Sequence, residues 1–265
     1  MKILDLSSPI DDSFWEPDEV SHRLMTPREG AEHCCAEMRT HFGLELDPDM
    51  FPGGEFLSND YLSLTTHTGT HVDAPSHYGS AGPDGPLRSI DQMPLEWFLA
   101  PGMVLDLRSA PIGTIGADVL RREFDRIEHT PGPLEIVLLN TGADELVGTP
   151  AYFTNFVGLD GSAINLLLDL GVRVVGTDAF SLDAPFPHII ENYLRTQDPD
   201  ILWPAHMIGR TREYCQLERL ANLAALPRPH SFTVSCLPVK ITGAGAGWSR
   251  VVVLLDEQPA VLSDT

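Results

Sequence analysis

The sequence predicts a mixed α/β fold, and two patterns along the chain carry that prediction. Short apolar runs rich in valine, isoleucine and leucine recur over the whole length, as is typical of buried strands. Longer segments between them have the spacing of amphipathic helices. The 22 glycines and 22 prolines supply many turns and argue against an all-helical chain. We therefore expect strands and helices connected by frequent turns.

The predicted elements follow directly from these patterns. Strands are expected at Lys2–Leu6, Tyr61–Thr66, Met103–Leu107, Ile136–Leu139, Val172–Val175, Phe232–Ile241 and Val251–Leu255. Helices are expected at Glu29–His41, Ala117–Ile127, Ser162–Leu170 and Gln216–Ala225. Ser162 opens the third helix, and Gly171 and Pro227 end the third and the fourth. Because neither a repeat nor a linker divides the chain, we expect one domain over residues 1–265.

The charge balance limits the classes of partner. The chain has 17 basic and 38 acidic residues, a formal net charge of -21. This sign repels phosphate backbones and anionic lipid surfaces, so we expect binding to neither nucleic acid nor a membrane. The acidic residues are scattered, which is typical of a solubilising surface.

The cysteines and the N-terminal sequence indicate the compartment. Cys34, Cys35, Cys215 and Cys236 form no C-x-x-C pair, and two adjacent cysteines cannot easily bridge to each other. The first apolar run is broken at Asp5, and no later run approaches the ~18 apolar residues of a membrane span. These features predict a reduced, cytoplasmic protein.

A dense histidine cluster is the most informative motif: His67-Thr-Gly-Thr-His71-Val-Asp73-Ala-Pro-Ser-His77. All four numbered positions are odd, so an extended backbone would direct their side chains to one face. Imidazole and carboxylate are the ligands that borderline divalent metals prefer, and catalytic sites keep one position open for water. We therefore expect His67, His71 and Asp73 to bind a divalent ion, with zinc and manganese as the candidates.

His77 is expected to act beside the metal. It follows the other three residues after a proline, and an imidazole with a pKa near ~6.5 can both take and give a proton. We assign it the role of general base and acid. A role as a fourth ligand, or as a hydrogen-bond partner of a ligand, stays open.

Two other motifs do not support competing chemistries. The sequence around Ser162 lacks the G-x-S-x-G elbow of serine hydrolases. The glycine-rich segment 243–247 precedes a strand-like run, whereas a phosphate-binding loop opens a helix. We interpret that segment as a structural turn.

The histidine cluster resembles the signature of the bacterial cyclase family, H-x-G-T-H-x-D-x-P-x-H, and matches it completely. This family includes kynurenine formamidases and isatin hydrolases. The resemblance implies that His67, His71 and Asp73 bind metal and that His77 is catalytic. It also implies a mixed sheet of the swivelling β/β/α type and assembly into homodimers or homotetramers.

A second pair of ligands is implied by the resemblance alone. The formamidases use a later histidine and, twelve positions on, a glutamate for a second metal; His206 and Glu218 have that spacing here. Without the family, His206 would be interpreted as a loop histidine and Glu218 as a solvated helix residue. The expected cofactor is therefore one or two divalent ions.

Two departures distinguish the chain from the formamidases. Trp15-Glu-Pro stands where they usually have a W-P-G-D-like turn, and Glu29–Gly54 adds residues before the histidine cluster. The long form, with Phe56-Leu-Ser-Asn-Asp, is more similar to family members of aromatic polyketide pathways, such as tetracycline-type cyclases.

The preferred functional hypothesis is thus a polyketide-type cyclase, in which the metal polarises a ketone and His77 moves protons. One alternative is an amidohydrolase such as an arylformamidase or isatin hydrolase, in which metal-activated hydroxide attacks an amide or lactam. Another is a catalytically silent, metal-stabilised binding module. The partner would be a small molecule with a polarisable carbonyl. Substrate-binding candidates are Trp15, Phe56 and Tyr78, although an aromatic residue taken singly is more often part of the core.

Overall fold

The computed structural model describes residues 1–256, and contacts within it divide the chain into two compact units. One unit comprises residues 1–10 and the chain from residue 66 onwards; the other comprises residues 11–65. The single domain expected over residues 1–265 stays a prediction. Residues 257–265, at its C-terminal end, lie outside the described residues.

The secondary structure is rich in short strands. In chain order these are β1 (Lys2–Asp5), β2 (Ser21–Met25), β3 (Asn59–Ser63), β4 (His71–Asp73), β5 (Ala81–Gly82), β6 (Gly85–Pro86), β7 (Leu99–Asp106), β8 (Gly113–Ile115), β9 (Ile136–Asn140), β10 (Val157–Leu159), β11 (Val174–Thr177), β12 (Cys215–Glu218), β13 (Phe232–Ser235), β14 (Ala246–Trp248) and β15 (Val252–Leu255). The α-helices are α1 (Pro27–Phe42), α2 (Pro75–Tyr78), α3 (Ala117–Arg126), α4 (Gly161–Asp169), α5 (Phe186–Thr196) and α6 (Pro204–Gly209). Short 3₁₀ helices occupy Pro48–Met50, Pro52–Gly54, Ile90–Gln92, Leu95–Trp97, Ala143–Leu146, Pro150–Phe153, Pro199–Ile201 and Leu223–Ala225.

The larger unit is built on a nine-stranded mixed sheet with the order β1-β15-β13-β7-β9-β11-β12-β4-β14. The four central strands β7, β9, β11 and β12 run parallel to one another. The strands on both sides of them pair antiparallel. The mixed α/β class predicted from the sequence is confirmed.

Each central strand is buried on both faces, which explains its continuous apolar sequence. In β9, Ile136 and Leu138 pack into one core, whereas Val137 and Leu139 pack into the other. The first core includes side chains of β4, β13 and β15, so both flanks of the sheet contribute to it. The second core includes residues of α3, α4 and α6, so helices cover that face.

Most predicted elements of the larger unit are confirmed, with shifted ends. The helix predicted at Ser162–Leu170 is α4, but its cap is Asp160, whose carboxylate accepts hydrogen bonds from the amides of Ser162 and Ala163 at 2.8 and 3.0 Å. The strand predicted at Phe232–Ile241 ends at Ser235. Helices α5 and α6 have no counterpart in the sequence prediction.

The helix predicted at Gln216–Ala225 is wrong. Residues 215–218 form β12, in which alternate side chains enter opposite faces of the sheet, and Leu217 packs into the first core. Arg219 and Asn222 then adopt φ of 61° and 59°. This left-handed backbone cannot continue an α-helix, so the leucines that suggested helical spacing belong to a strand and the turns after it.

The smaller unit contains one helix and one hairpin. Helix α1 starts with a capping box, in which the Thr26 hydroxyl accepts from the Glu29 amide at 3.3 Å and the Glu29 carboxylate accepts from the Thr26 amide at 2.6 Å. It ends at Gly43, and it confirms the helix predicted over Glu29–His41. Strands β2 and β3 pair antiparallel and are almost wholly exposed.

Over residues 1–256, no helix has both the length and the apolar character needed to cross a bilayer.

The central strands are expected to dominate stability. Replacing the fully buried Leu138 by alanine leaves a cavity between β9 and its neighbours and should lower the free energy of unfolding by about 2–5 kcal/mol. The matched control is Leu194→Ala in α5, since Leu194 is 67% exposed and its loss should cost less than about 0.5 kcal/mol. Equal effects in urea denaturation would contradict the assignment of the core.

Candidate metal centre

The histidine cluster lies where three antiparallel strands meet. Strand β4 pairs with β12 on one side and with β14 on the other. Because side chains two residues apart share a face, His71 and Asp73 point the same way. The register places Glu218 of β12 opposite His71. The sheet therefore brings Glu218, 147 positions further along the numbering, beside the histidine cluster.

The route of the chain into β4 fixes the orientation of His71. Gly69 has φ 69°, and a Cβ there would come within 2.8 Å of Ile10, so a larger residue would be both strained and crowded. The turn allows His71 Nδ1 to donate to the Gly69 carbonyl at 2.8 Å. His71 Nε2 is therefore the nitrogen that faces Asp73.

The extended backbone expected over residues 67–77 is wrong, although the side chains do converge. Only residues 71–73 form a strand; a turn precedes them, and residues 75–78 form the short helix α2. His67 and His77 reach the same place through these turns, with ring centroids 4.2 Å apart.

Asp73 forms the centre of the cluster. Its Oδ1 lies 3.1 Å from His67 Nδ1 and 3.4 Å from His71 Nε2, and these two nitrogens are 3.2 Å apart. Asp73 is fully buried, yet neither carboxylate oxygen has a hydrogen-bond partner among the described residues. An unsatisfied buried carboxylate is costly unless a cation compensates it. The donor set and its unsatisfied oxygens thus fit a divalent metal ion.

The electrostatics of the cluster also favour a cation. Burial would raise the pKa of Asp73, but the charge of His71, the contacts with the His67 and His71 rings and the charge of His77 together outweigh burial and hold that pKa well below the ordinary value. Burial would lower the pKa of His71, but Asp73, the charge of Glu218 and the hydrogen bond to the Gly69 carbonyl together outweigh burial and raise that pKa. Each pKa shift reflects the need of a buried anion for a positive partner.

Two overlapping groups could each hold an ion. His67, Asp73 and His77 form one group, and His71, Asp73 and Glu218 form the other, with ligand atoms within 4.8 Å of one another in each. Asp73 is common to both groups. The first group keeps the role of His77 open between ligand and base.

His77 lies at the mouth of the cluster. Its surface is exposed, but the protein atoms around its ring displace enough water to lower the pKa of His77 to about 4. Its main chain packs against Gly245, where a Cβ would lie 3.2 Å from the His77 Cα and Cβ. The glycine-rich segment 243–247 thus supports His77, a function that its sequence did not suggest.

His206 and Glu218 line the same cavity. Glu218 Oε2 is 3.7 Å from His71 Nε2, and burial with the negative charge of Asp73 raises the pKa of Glu218. The His206 ring lies 5.5 Å from the His77 ring, and among the described residues it belongs to neither group of three. Burial would lower the pKa of His206, but its hydrogen bond to Asp183 and the negative charges of Asp183, Glu218 and Asp73 together raise that pKa to about 9.

A cavity of about 270 Å³ opens onto the cluster. It is also lined by apolar side chains that sequence reasoning missed: Phe180, Phe186, Trp203 and Met207. Phe186 contacts Trp203 edge-on at 5.2 Å between ring centroids. We call Phe180, Phe186 and Trp203 the aromatic wall. No periodic pattern marks these residues, because they lie in turns and at the starts of α5 and α6.

The three predicted substrate-binding residues have different positions. Tyr78 lines the cavity, is buried, and accepts a hydrogen bond from the Gln216 amide at 3.1 Å. Trp15 and Phe56 belong to the smaller unit and are 43% and 41% exposed. A role in substrate binding stays a prediction for all three.

Comparison with known proteins identifies the family. Residues 4–184 match the Cyclase family, described as "Putative cyclase". Kynurenine formamidase from Salinibacter ruber (strain DSM 13855 / M31) is 32% identical over 193 residues, which cover 72% of this chain and 77% of that protein. Kynurenine formamidase from Maricaulis maris (strain MCS10) is 30% identical over 198 residues, covering 72% and 78%. The chain belongs to the Cyclase family, as its histidine motif indicated.

A solved structure supports the same fold. Isatin hydrolase A from Labrenzia aggregata, bound to benzyl benzoate, aligns with a TM-score of 0.72 and 22% identity over 97% of this chain and 94% of that chain. At this level of identity the likeness concerns the fold. The expected family fold is thereby confirmed.

Metal binding should stabilise the folded chain through Asp73. After chelator treatment, adding Zn²⁺ or Mn²⁺ at about 100 times its Kd should stabilise the protein by about 2.7 kcal/mol. In thermal denaturation, Asp73→Asn should abolish the rise in Tm because a neutral amide cannot balance the ion.

The control for this experiment is Asp178→Asn. Asp178 is also fully buried, but its carboxylate accepts from the Thr141 and Gly142 amides instead of facing the cluster. That variant should lose stability yet keep the metal-dependent rise in Tm. If neither metal changed the Tm of the wild-type protein, the result would contradict the assignment of the metal centre.

Proposed function

We propose that this chain is a metal-dependent hydrolase that cleaves the C–N bond of an aromatic amide or lactam. The observation that carries the proposal is the fully buried Asp73 carboxylate, which has two imidazole nitrogens within 3.4 Å and no hydrogen-bond donor among the described residues. Relatives with 30–32% identity are named kynurenine formamidases, which supports amide hydrolysis.

His67, His71 and Asp73 would hold the catalytic ion, and Glu218 with His206 would hold or complete a second one. A divalent ion in such a site acts as a Lewis acid on a carbonyl and lowers the pKa of water to about 7. Zinc and manganese both suit imidazole and carboxylate ligands. The orientation of His71, fixed by the Gly69 carbonyl, keeps Nε2 directed at the site.

His77 would move the protons of the reaction. Because its pKa is lowered to about 4, the imidazole is neutral at pH 7 and can accept a proton from the attacking water. The imidazolium so formed can then protonate the departing nitrogen. The position of His77 at the mouth of the cavity, 4.2 Å from the His67 ring, allows both transfers beside the same carbonyl.

The aromatic wall supports an aromatic substrate. Its rings line the same cavity as the polar cluster, so an aromatic substrate packed against them would have its carbonyl in the cavity that the histidines also line. A volume of about 270 Å³ lies at the lower end of the about 300–1,000 Å³ typical of ligand pockets. This size favours a compact aryl amide or lactam over an extended polyketide.

The preference for polyketide cyclisation is therefore replaced by its hydrolytic alternative. Nothing in the comparisons supports a polyketide substrate, and the named curated relatives of 30% identity or more are formamidases. Assembly into homodimers or homotetramers and a cytoplasmic location stay predictions.

His77→Ala separates the two roles left open for this residue. If His77 is the general base and acid, its replacement should lower the rate of turnover by about 10²–10⁴-fold, and the variant should keep its metal. Turnover of N-formylkynurenine, isatin and simple aryl amides should be measured together with metal content by elemental analysis. The control is His188→Ala, since His188 bonds Thr114 outside the cluster. Loss of metal in His77→Ala would make His77 a ligand instead.

Phe186→Ala tests the aromatic wall. Removing this ring should weaken binding of an aryl formamide by about tenfold, since an aromatic contact contributes about 0.5–1.5 kcal/mol beyond its buried area. The hydrolysis of an alkyl formamide should change much less, so the ratio of the two kcat/KM values is the measurement. If the ratio did not change, the aromatic wall would have no role in substrate recognition.

A further inference from the structure

The segment 181–184, which follows β11, contacts both residues of the second ligand pair. The Leu182 amide donates to Glu218 Oε1 at 2.8 Å. The next residue, Asp183, accepts from His206 Nδ1 at 2.5 Å. Two adjacent residues of one segment thus contact a strand residue and a helix residue that both line the cavity.

The Asp183 carboxylate is hydrogen-bonded to the first turn of α6. Its Oδ1 accepts from the Ala205 amide at 2.8 Å, and its Oδ2 accepts from the His206 amide at 3.1 Å in addition to the ring nitrogen. Asp183 is fully buried. The same carboxylate therefore fixes both the backbone and the ring of His206.

This contact determines which nitrogen of His206 faces the cavity. A carboxylate accepts a hydrogen bond, so His206 Nδ1 must carry the proton. Nε2 is then the ring nitrogen left for the cavity that His206 lines. In proteins, a carboxylate that accepts from the far nitrogen of a ligating histidine fixes the tautomer and makes the ligand more basic.

Strand β10 also holds the segment 181–184 in place. The Leu159 amide in β10 donates to the Leu182 carbonyl at 2.8 Å. A Cβ on the neighbouring Gly158 would come within 2.3 Å of the Asp183 carbonyl carbon and 2.4 Å of the Ala184 nitrogen. Only glycine permits this close approach, so the position of Asp183 depends on Gly158.

We propose that Asp183 is a positioning residue for metal binding, which holds His206 with Nε2 directed at a divalent ion that Glu218 also binds. This inference rests on the metal centre of the proposed function. It adds Asp183, and Gly158 behind it, as residues on which that second ligand pair depends.

The test is calorimetric titration of chelator-treated protein with Zn²⁺ and with Mn²⁺. The ion that depends on His206 is the one whose binding His206→Ala weakens. Asp183→Asn should lower the affinity for that ion by about 10–100-fold. The double variant should bind it no more weakly than His206→Ala alone, because the two residues act as one unit.

Asp178→Asn is the matched control. Asp178 is a buried aspartate close by in the chain, but its carboxylate bonds Thr141 and Gly142 instead of His206. Its replacement should leave the metal affinities unchanged. Gly158→Ala should lower the affinity for the same ion as Asp183→Asn does, although Asp183 itself is unchanged in that variant.

Wild-type protein supplies a measurement that does not depend on a stable variant. Nitrogen-detected NMR of the metal-loaded protein should find the His206 proton on Nδ1. A proton on Nε2, or metal affinities that Asp183→Asn leaves unchanged, would overturn the role of Asp183. Wild-type protein that binds neither metal would overturn the proposed function itself, so the two failures are distinguishable.

Discussion

The buried Asp73 carboxylate is the constraint around which the site is arranged. It lies in the middle strand of three and is fully buried, with imidazole nitrogens 3.1 and 3.4 Å from Oδ1 and no hydrogen-bond partner for either carboxylate oxygen among the described residues. A carboxylate in this position is stable only if a positive charge joins it. The turn at Gly69 and the strand pairing with β12 place His71 and Glu218 beside it.

The segments around Asp73 hold one another in place. Arg219 follows Glu218 with a φ of 61°, and its Nη1 donates to the His67 carbonyl at 3.1 Å. The Thr70 hydroxyl donates to the Arg219 carbonyl at 2.5 Å. Arg219, in its left-handed conformation, therefore links the end of β12 to the turn that carries His67. Strained backbone of this kind is often found at functional sites.

The sequence predicted the local chemistry better than the long-range geometry. His67, His71, Asp73 and His77 could be grouped because they are close in the chain, and the apolar runs at Met103–Leu107 and Ile136–Leu139 match β7 and β9. The pairing of β12 with β4 involves residues far apart, so no local pattern distinguishes its Leu217 from a helix residue. The aromatic wall was missed for the same reason, since the residues of turns and helix starts follow no periodic pattern.

Anomalous diffraction tests the central claim most directly. Crystals grown with Zn²⁺ or Mn²⁺ should be measured on both sides of the metal absorption edge. We expect a peak at about 2.0–2.2 Å from Asp73 and from the nitrogens of His67 and His71. A map with no peak beside Asp73, from protein fully supplied with both metals, would contradict the account.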